Sequence, residues 1–130
     1  MTTAYERIGG EPAVRRVIRA LYDRLLLDPI VGFLFAGRDL DHIVSEQVAF
    51  TCAFLGGPQR YTGKALPEAH AELPLLAGHF DRRHHLLGQV LAEQAVPNEV
   101  QELWLRVDSA LRTSVLSAGE AARVRTAAPH

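Results

Sequence analysis

A single cysteine, Cys52, stands in the 130 residues, so no disulfide can form within the chain. No apolar run approaches the roughly 18 residues that a membrane-spanning helix needs. Neither sign of charge dominates: 14 Lys and Arg are set against 15 Asp and Glu, for a net charge of −1. That leaves no electrostatic footprint for DNA or RNA. Residues 1–6 lack a basic stretch followed by an apolar one, so they are read as no secretory signal. Strict apolar–polar alternation, the mark of a half-buried strand, is missing over any useful length. No internal repeat and no linker divides the chain. These absences predict one cytoplasmic domain without a nucleic-acid role, and a composition 48% hydrophobic is enough to give it a core.

What is present is helical periodicity. Gly9-Gly10 followed by Glu11-Pro12 stops a short first helix and starts a second, because Gly suits a helix stop and Pro a first turn. The second helix is expected from about Pro12 to Leu27, broken by Asp28-Pro29. Its apolar stripe is Val14, Val17, Ile18, Leu21, Tyr22, Leu25, Leu26. A short helical turn follows over Ile30 to Phe35. Asp39 is a good N-cap for the next helix, which ends at Gly56-Gly57-Pro58. That helix carries Leu40, Ile43, Val44, Gln47, Val48, Thr51, Phe54 and Leu55 on one face. A brief segment, Ala65 to Leu73, bears Leu66, Ala69, His70 and Leu73 and is closed by Pro74. A long helix is expected from Gly78 to Gln94, with Phe80, His84, Leu87 and Leu91 on one side. Pro97 opens a last helix with Val100, Leu103, Trp104, Val107, Leu111 and Val115 in its stripe. The class is all-α. Residues 1–117 form the domain, and 118–130, where the chain turns to Ala, Gly, Arg and Thr without period, are expected to be a disordered tail.

Three polar residues interrupt these stripes: Tyr22, Gln47 and His70. Burying an unpartnered hydroxyl, amide or imidazole costs about 1–3 kcal/mol. Their company implies a core that holds something needing polar contacts, such as a metal-centred, mostly apolar cofactor. Each also has a plainer reading. Tyr22 can be a core tyrosine with its hydroxyl at the surface, Gln47 a boundary residue, and His70 a satisfied core histidine. The other histidines carry less. His42 and Glu46 share a helix face but have no further ligands. His79, five residues from His84, points elsewhere around the helix. It reads as making a structural hydrogen bond near a helix start, with His85 in solvent and His130 at the terminus.

Ordered along the chain, Tyr5-Glu6-Arg7-Ile8-Gly9-Gly10, Phe33-Leu34-Phe35-Ala36-Gly37, Gln47-Val48-Ala49-Phe50, Leu55-Gly56-Gly57-Pro58, Tyr61-Thr62-Gly63, Ala69-His70 and His79-Phe80 resemble the truncated haemoglobins, group I among them. The resemblance covers about residues 4 to 117. It implies a helical sandwich of two helices over two around a b-type haem, with the glycine pairs letting a shortened chain turn sharply. By the same resemblance His70 is the proximal iron ligand and Phe35 packs on the haem face. Tyr22 is the distal tyrosine and Gln47 its distal partner. Ile43 takes the place where longer globins carry a distal histidine, and Phe50 lies beside that site. Lys64, six residues before His70, and Tyr61 are candidates to meet the haem propionates, with Arg60 and Arg83 behind them. Each of these also reads as an ordinary solvated group.

Some family members use a second histidine as iron ligand from the distal helix. The matching residue here is Glu46, so an exchangeable sixth site is expected. Others bond haem covalently through a histidine of the last helix; none stands between Pro97 and Leu116, so the haem is expected to be non-covalent. The stretch Pro74-Leu75-Leu76-Ala77 departs from the usual sequence after the proximal histidine. The implied function is reversible binding of dioxygen and related diatomics, nitric oxide and carbon monoxide. The alternative is a nitric oxide dioxygenase. The chain has no flavin or nicotinamide fingerprint, so any reductase is a separate partner. A third reading is a cofactor-free helical interaction protein. A monomer or weak dimer is expected.

Overall fold

The computed structural model describes residues 2–61 and 76–116. The expected short helix around His70, the candidate Lys64 and the tail at 118–130 lie outside the described residues.

Helix α1 covers Ala4–Ile8, and Thr3 caps it by accepting a hydrogen bond from the Glu6 amide at 3.1 Å. Gly9 ends it with φ 112°, a left-handed conformation that costs glycine little. Helix α2 runs Gly10–Leu27, two residues longer at its start than the proline suggests. Asp28 then turns extended, as a residue before proline must.

The Asp28 side chain is buried, and it fixes this corner. One oxygen accepts from the Ile30 amide at 2.9 Å, and the other from two Arg82 nitrogens at 2.9 and 2.8 Å. The Arg82 guanidinium holds its carboxyl below the usual range. A 3-10 turn covers Gly32–Phe35, shorter than the expected segment from Ile30. Asp39 caps helix α3, Leu40–Phe54, by accepting from the His42 amide at 3.1 Å.

Helix α4 spans Ala77–Glu93 and α5 Asn98–Ala110, with a further helical turn over 112–116. At the start of α4 the Leu76 amide donates to His79 Nδ1 at 3.0 Å, the structural bond expected of that histidine. No described helix is long and apolar enough to cross a membrane.

Helix α2 packs against both α3 and α4, α4 against α5, and α1 bridges α2 and α5. The described part is all-helical, a two-over-two sandwich. Its centre is aliphatic: Val14, Ile18, Leu21 and Leu25 of α2 meet Leu87 and Leu91 of α4 and Val100 of α5. Two stripes differ from their sequence reading. Leu26 is 39% exposed, because the buried face of α2 closes at Leu25. In α5 the fully turned-in positions are Val100, Trp104 and Asp108. The face is rotated slightly, bringing a carboxylate inside and leaving Leu103 and Val107 half-buried.

The Gly56-Gly57 pair allows α1 to lie on the end of α3. Gly56 has φ 94°, and a Cβ on Gly57 would stand 2.8 Å from a Tyr5 ring carbon. The close approach lets the Tyr5 amide donate to the Leu55 carbonyl at 2.9 Å, while Gln59 Nε2 donates to the Tyr5 hydroxyl at 3.0 Å.

Candidate ligand pocket

The inner faces of α2, the 3-10 turn, α3, α4 and α5 surround one pocket with a cavity of about 100 Å³. Its wall is chiefly aliphatic and aromatic: Leu25, Leu34, Phe35, Phe50, Phe54, Phe80 and Trp104. The rings meet edge to face. Tyr22 and Phe35 have centroids 5.4 Å apart, Phe50 and Phe54 5.7 Å, and Phe54 and Trp104 6.2 Å. This is the arrangement that aromatic quadrupoles favour.

Of the residues singled out in the sequence, Tyr22 from α2, Phe35 from the 3-10 turn, and Gln47 and Phe50 from α3 all line this pocket. Ile43 lies one turn before Gln47, half-buried against the core, and is not in the pocket wall. Tyr61 sits beyond the end of α3 with its ring edge-on to Phe50 at 5.4 Å. Burial, then the charge of Glu46, raises its phenol pKa. Arg60 is exposed.

Two charged residues also line the pocket, and they change its electrostatics. Arg83 Nη1 donates to Asp108 Oδ1 at 2.7 Å. His84 Nδ1 lies 2.7 Å from Asp108 Oδ2. Asp108 is buried, with 9% of its side chain exposed, and Arg83 has 21%. The Arg83 charge also acts on the Tyr22 phenol, which lines the same pocket. Burial pushes the Tyr22 phenol up, and the Arg83 guanidinium offsets part of that rise. Burial alone would raise the Asp108 carboxyl, yet Arg83 and His84 hold it below its ordinary value. Burial works against the Arg83 charge as well, but Asp108 and Tyr22 more than restore it. Arg83 and Asp108 are therefore both charged at neutral pH.

Asp108 escaped the sequence reading, and Arg83 entered it only as a candidate for the pocket mouth. The signal was the one that drew attention to Tyr22: a polar residue at a stripe position. Asp108 follows Trp104 by four residues, and Arg83 lies three after Phe80 and four before Leu87.

A flat, largely apolar macrocycle with a metal at its centre suits such a wall. The macrocycle supplies most of the metal's donors, so the protein need offer only one histidine. Among the described residues no group of three or more His, Cys, Asp or Glu side chains could hold a bare ion. Tyr22, Gln47 and Arg83 bring hydrogen-bond donors to the wall, and the Asp108 carboxylate is taken up by Arg83 and His84.

A two-over-two helical sandwich closed on this pocket is the fold of a truncated globin. The family model for bacterial-like globins matches residues 3–117. The group 1 truncated hemoglobin of Tetrahymena pyriformis is 37% identical over 98 residues, 75% of this chain and 81% of that one. The group 1 truncated hemoglobin GlbN of Nostoc sp. (strain MUN 8820) is 35% identical over 99 residues, covering 76% and 84%. The 2/2 hemoglobin of Synechococcus sp. PCC 7002, solved in the cyanomet state with covalently attached heme, has the same fold. It matches with a TM-score of 0.84 at 26% identity, over 89% of this chain and 99% of that one. This chain belongs to the bacterial-like globins, among the group 1 truncated haemoglobins, and is a haem-binding globin.

Proposed function

We propose that this protein binds dioxygen, and the related diatomics nitric oxide and carbon monoxide, reversibly at a b-type haem held without a covalent bond. His70 is the iron ligand from one side, and Tyr22 with Gln47 serves the other. Phe35 and Phe50 give the macrocycle apolar neighbours, while Ile43 packs on the core outside the pocket wall. Lys64 and Tyr61 meet its propionates. The observation that carries this reading is the convergence of Tyr22, Phe35, Gln47 and Phe50, from three separate elements, on one aromatic pocket.

Haem, when bound, supplies an iron centre where a diatomic becomes a hydrogen-bond acceptor. The chain supplies the rest. The Tyr22 phenol has one proton to donate, and the Gln47 amide has two. Each such bond is worth about 1–2 kcal/mol net. Two together slow release of the ligand by on the order of a hundredfold. The surrounding Phe and Leu side chains exclude water, which would compete for both donors.

We take the protein to act in the cytoplasm as a monomer or weak dimer. The same donors would also serve a nitric oxide dioxygenase, which joins nitric oxide and dioxygen to nitrate with one electron from a separate reductase. The test is the visible spectrum of the protein purified from haem-supplemented cells, before and after dithionite, then with dioxygen or carbon monoxide. A Soret band that shifts with each ligand is expected, and His70→Ala should lose the haem or hold it weakly. No Soret band, or unchanged haem content in His70→Ala, overturns the assignment. Catalytic consumption of nitric oxide with a reductase would favour the enzyme.

A further inference from the structure

An ion pair in the pocket wall is something that holding an apolar macrocycle does not need. Arg83 of α4 and Asp108 of α5 both line the pocket, in the same wall as Tyr22 and Gln47. A charge pair taken out of water is costly unless its remaining donors and acceptors are met. The carboxylate is met. Asp108 Oδ1 accepts from Arg83 Nη1 at 2.7 Å, and Oδ2 lies 2.7 Å from His84 Nδ1. His84 is not in the pocket wall, and its far nitrogen is 3.4 Å from the hydroxyl of the exposed Ser109. The guanidinium is not used up in the same way. It has five N–H donors, and its bond to Asp108 uses Nη1 alone.

We propose that Arg83, steadied by Asp108, makes this pocket a site for a small planar oxyanion of the nitrite class. The proposal deepens the haem-pocket reading above and rests on it. Tyr22 and Gln47 are neutral donors and serve a neutral diatomic as well as a charged ligand. Arg83 adds what they lack: a full positive charge and a rigid fork whose parallel N–H groups match two oxygens of one ion. The apolar wall strengthens the preference, because a charge acts more strongly where rings and aliphatic chains replace water. Asp108 does not cancel it. Both carboxylate oxygens are occupied, one of them by a histidine outside the wall, so the guanidinium is the member of the pair with bonding capacity to spare. The Arg83 side chain is also only 21% exposed. A partner for propionates at the pocket mouth would stand in water, as the exposed Arg60 does.

The experiment compares the wild type with the double variant Arg83→Met/Asp108→Leu, both as full-length, haem-loaded protein. Two dissociation constants are read from the Soret band: nitrite with the ferric protein, and carbon monoxide, a small neutral ligand, with the ferrous protein. Removing the pair as a unit avoids leaving one buried charge alone. It also removes a negative charge, which by itself would help an anion, so a loss of nitrite affinity is traced to the guanidinium. The double variant should bind nitrite at least about tenfold more weakly, the factor of one charge-assisted hydrogen bond, and carbon monoxide as the wild type does. A smaller change for nitrite overturns the proposal. So does an equal weakening of both ligands, which would mean a damaged pocket, and so does faster haem loss with nitrite binding unchanged, which would make Arg83 a propionate partner. A wild type that answers carbon monoxide but not nitrite overturns the proposal and leaves the haem-pocket reading standing, whereas no response to either removes both. If the double variant does not fold, Arg83→Lys decides, since it keeps the charge and loses the planar fork. Weaker nitrite binding with carbon monoxide unchanged supports the proposal, and nitrite binding equal to wild type overturns it.

Discussion

Tyr22 shows how one side chain can be legible by type and illegible by partner. Its place in an apolar stripe marks a buried hydroxyl, and the structure buries it to 6% exposure. The charged residue that shares its pocket wall, Arg83, is 61 positions away in the sequence, a neighbour no local period can reveal. Tyr22→Phe should raise the dioxygen dissociation rate several-fold or more in stopped flow, while an unchanged rate would take the phenol out of the ligand site. Asp108 has a consequence of its own. Its carboxyl is held below the ordinary range despite burial, so it contributes stability above about pH 4 that is lost as pH falls through its folded value. Urea unfolding between pH 5 and 3 should fall less steeply in Arg83→Met/Asp108→Leu than in wild type. Asp108→Ala alone leaves Arg83 a buried, uncompensated charge and should cost about 3 kcal/mol at neutral pH.

Among the elements, the junctions were the most readable features. Gly9, Asp28-Pro29, Asp39 and Gly56-Gly57 each act through backbone chemistry within a few residues, and the structure puts breaks or caps at all of them. Boundaries differed by a residue or two where tertiary contacts extend or trim a turn. The glycines can be told apart by what surrounds them. Gly57→Ala would set a methyl 2.5 Å from Gln59 Oε1 and 2.8 Å from the Tyr5 ring. It should cost about 1–3 kcal/mol in urea unfolding as α1 is pushed off α3. Gly78 sits in the first turn of α4, and among the described residues nothing lies within 4 Å of where its Cβ would stand. Gly78→Ala should be neutral or stabilising by up to about 1 kcal/mol. Equal effects at the two sites would mean that the α1–α3 approach is not tight.

For the whole molecule, the pocket is the product of packing: five elements contribute its wall, and none holds more than a strip of it. Haem that binds the folded chain and not the unfolded one raises stability by mass action. The thermal midpoint should therefore rise on haem loading. The absence of histidine from residues 98–116 sets this chain apart from any relative that tethers haem through its last helix. Acid butanone should extract the haem completely, and pigment remaining with the protein would show a covalent bond.

By itself the sequence determined the helical class, the order and caps of the described helices, and the residue types available to a haem pocket. Those follow from periodicity and from backbone rules that act over three or four residues. The tertiary structure decided which of the polar stripe residues meet. It rotated α5 enough to bring Asp108 inside, turned Arg83 inward to pair with it, and set both in the wall that Tyr22 also lines. Such contacts depend on how two helices cross, which is settled by the packing of whole faces and is not written in the spacing of any one of them.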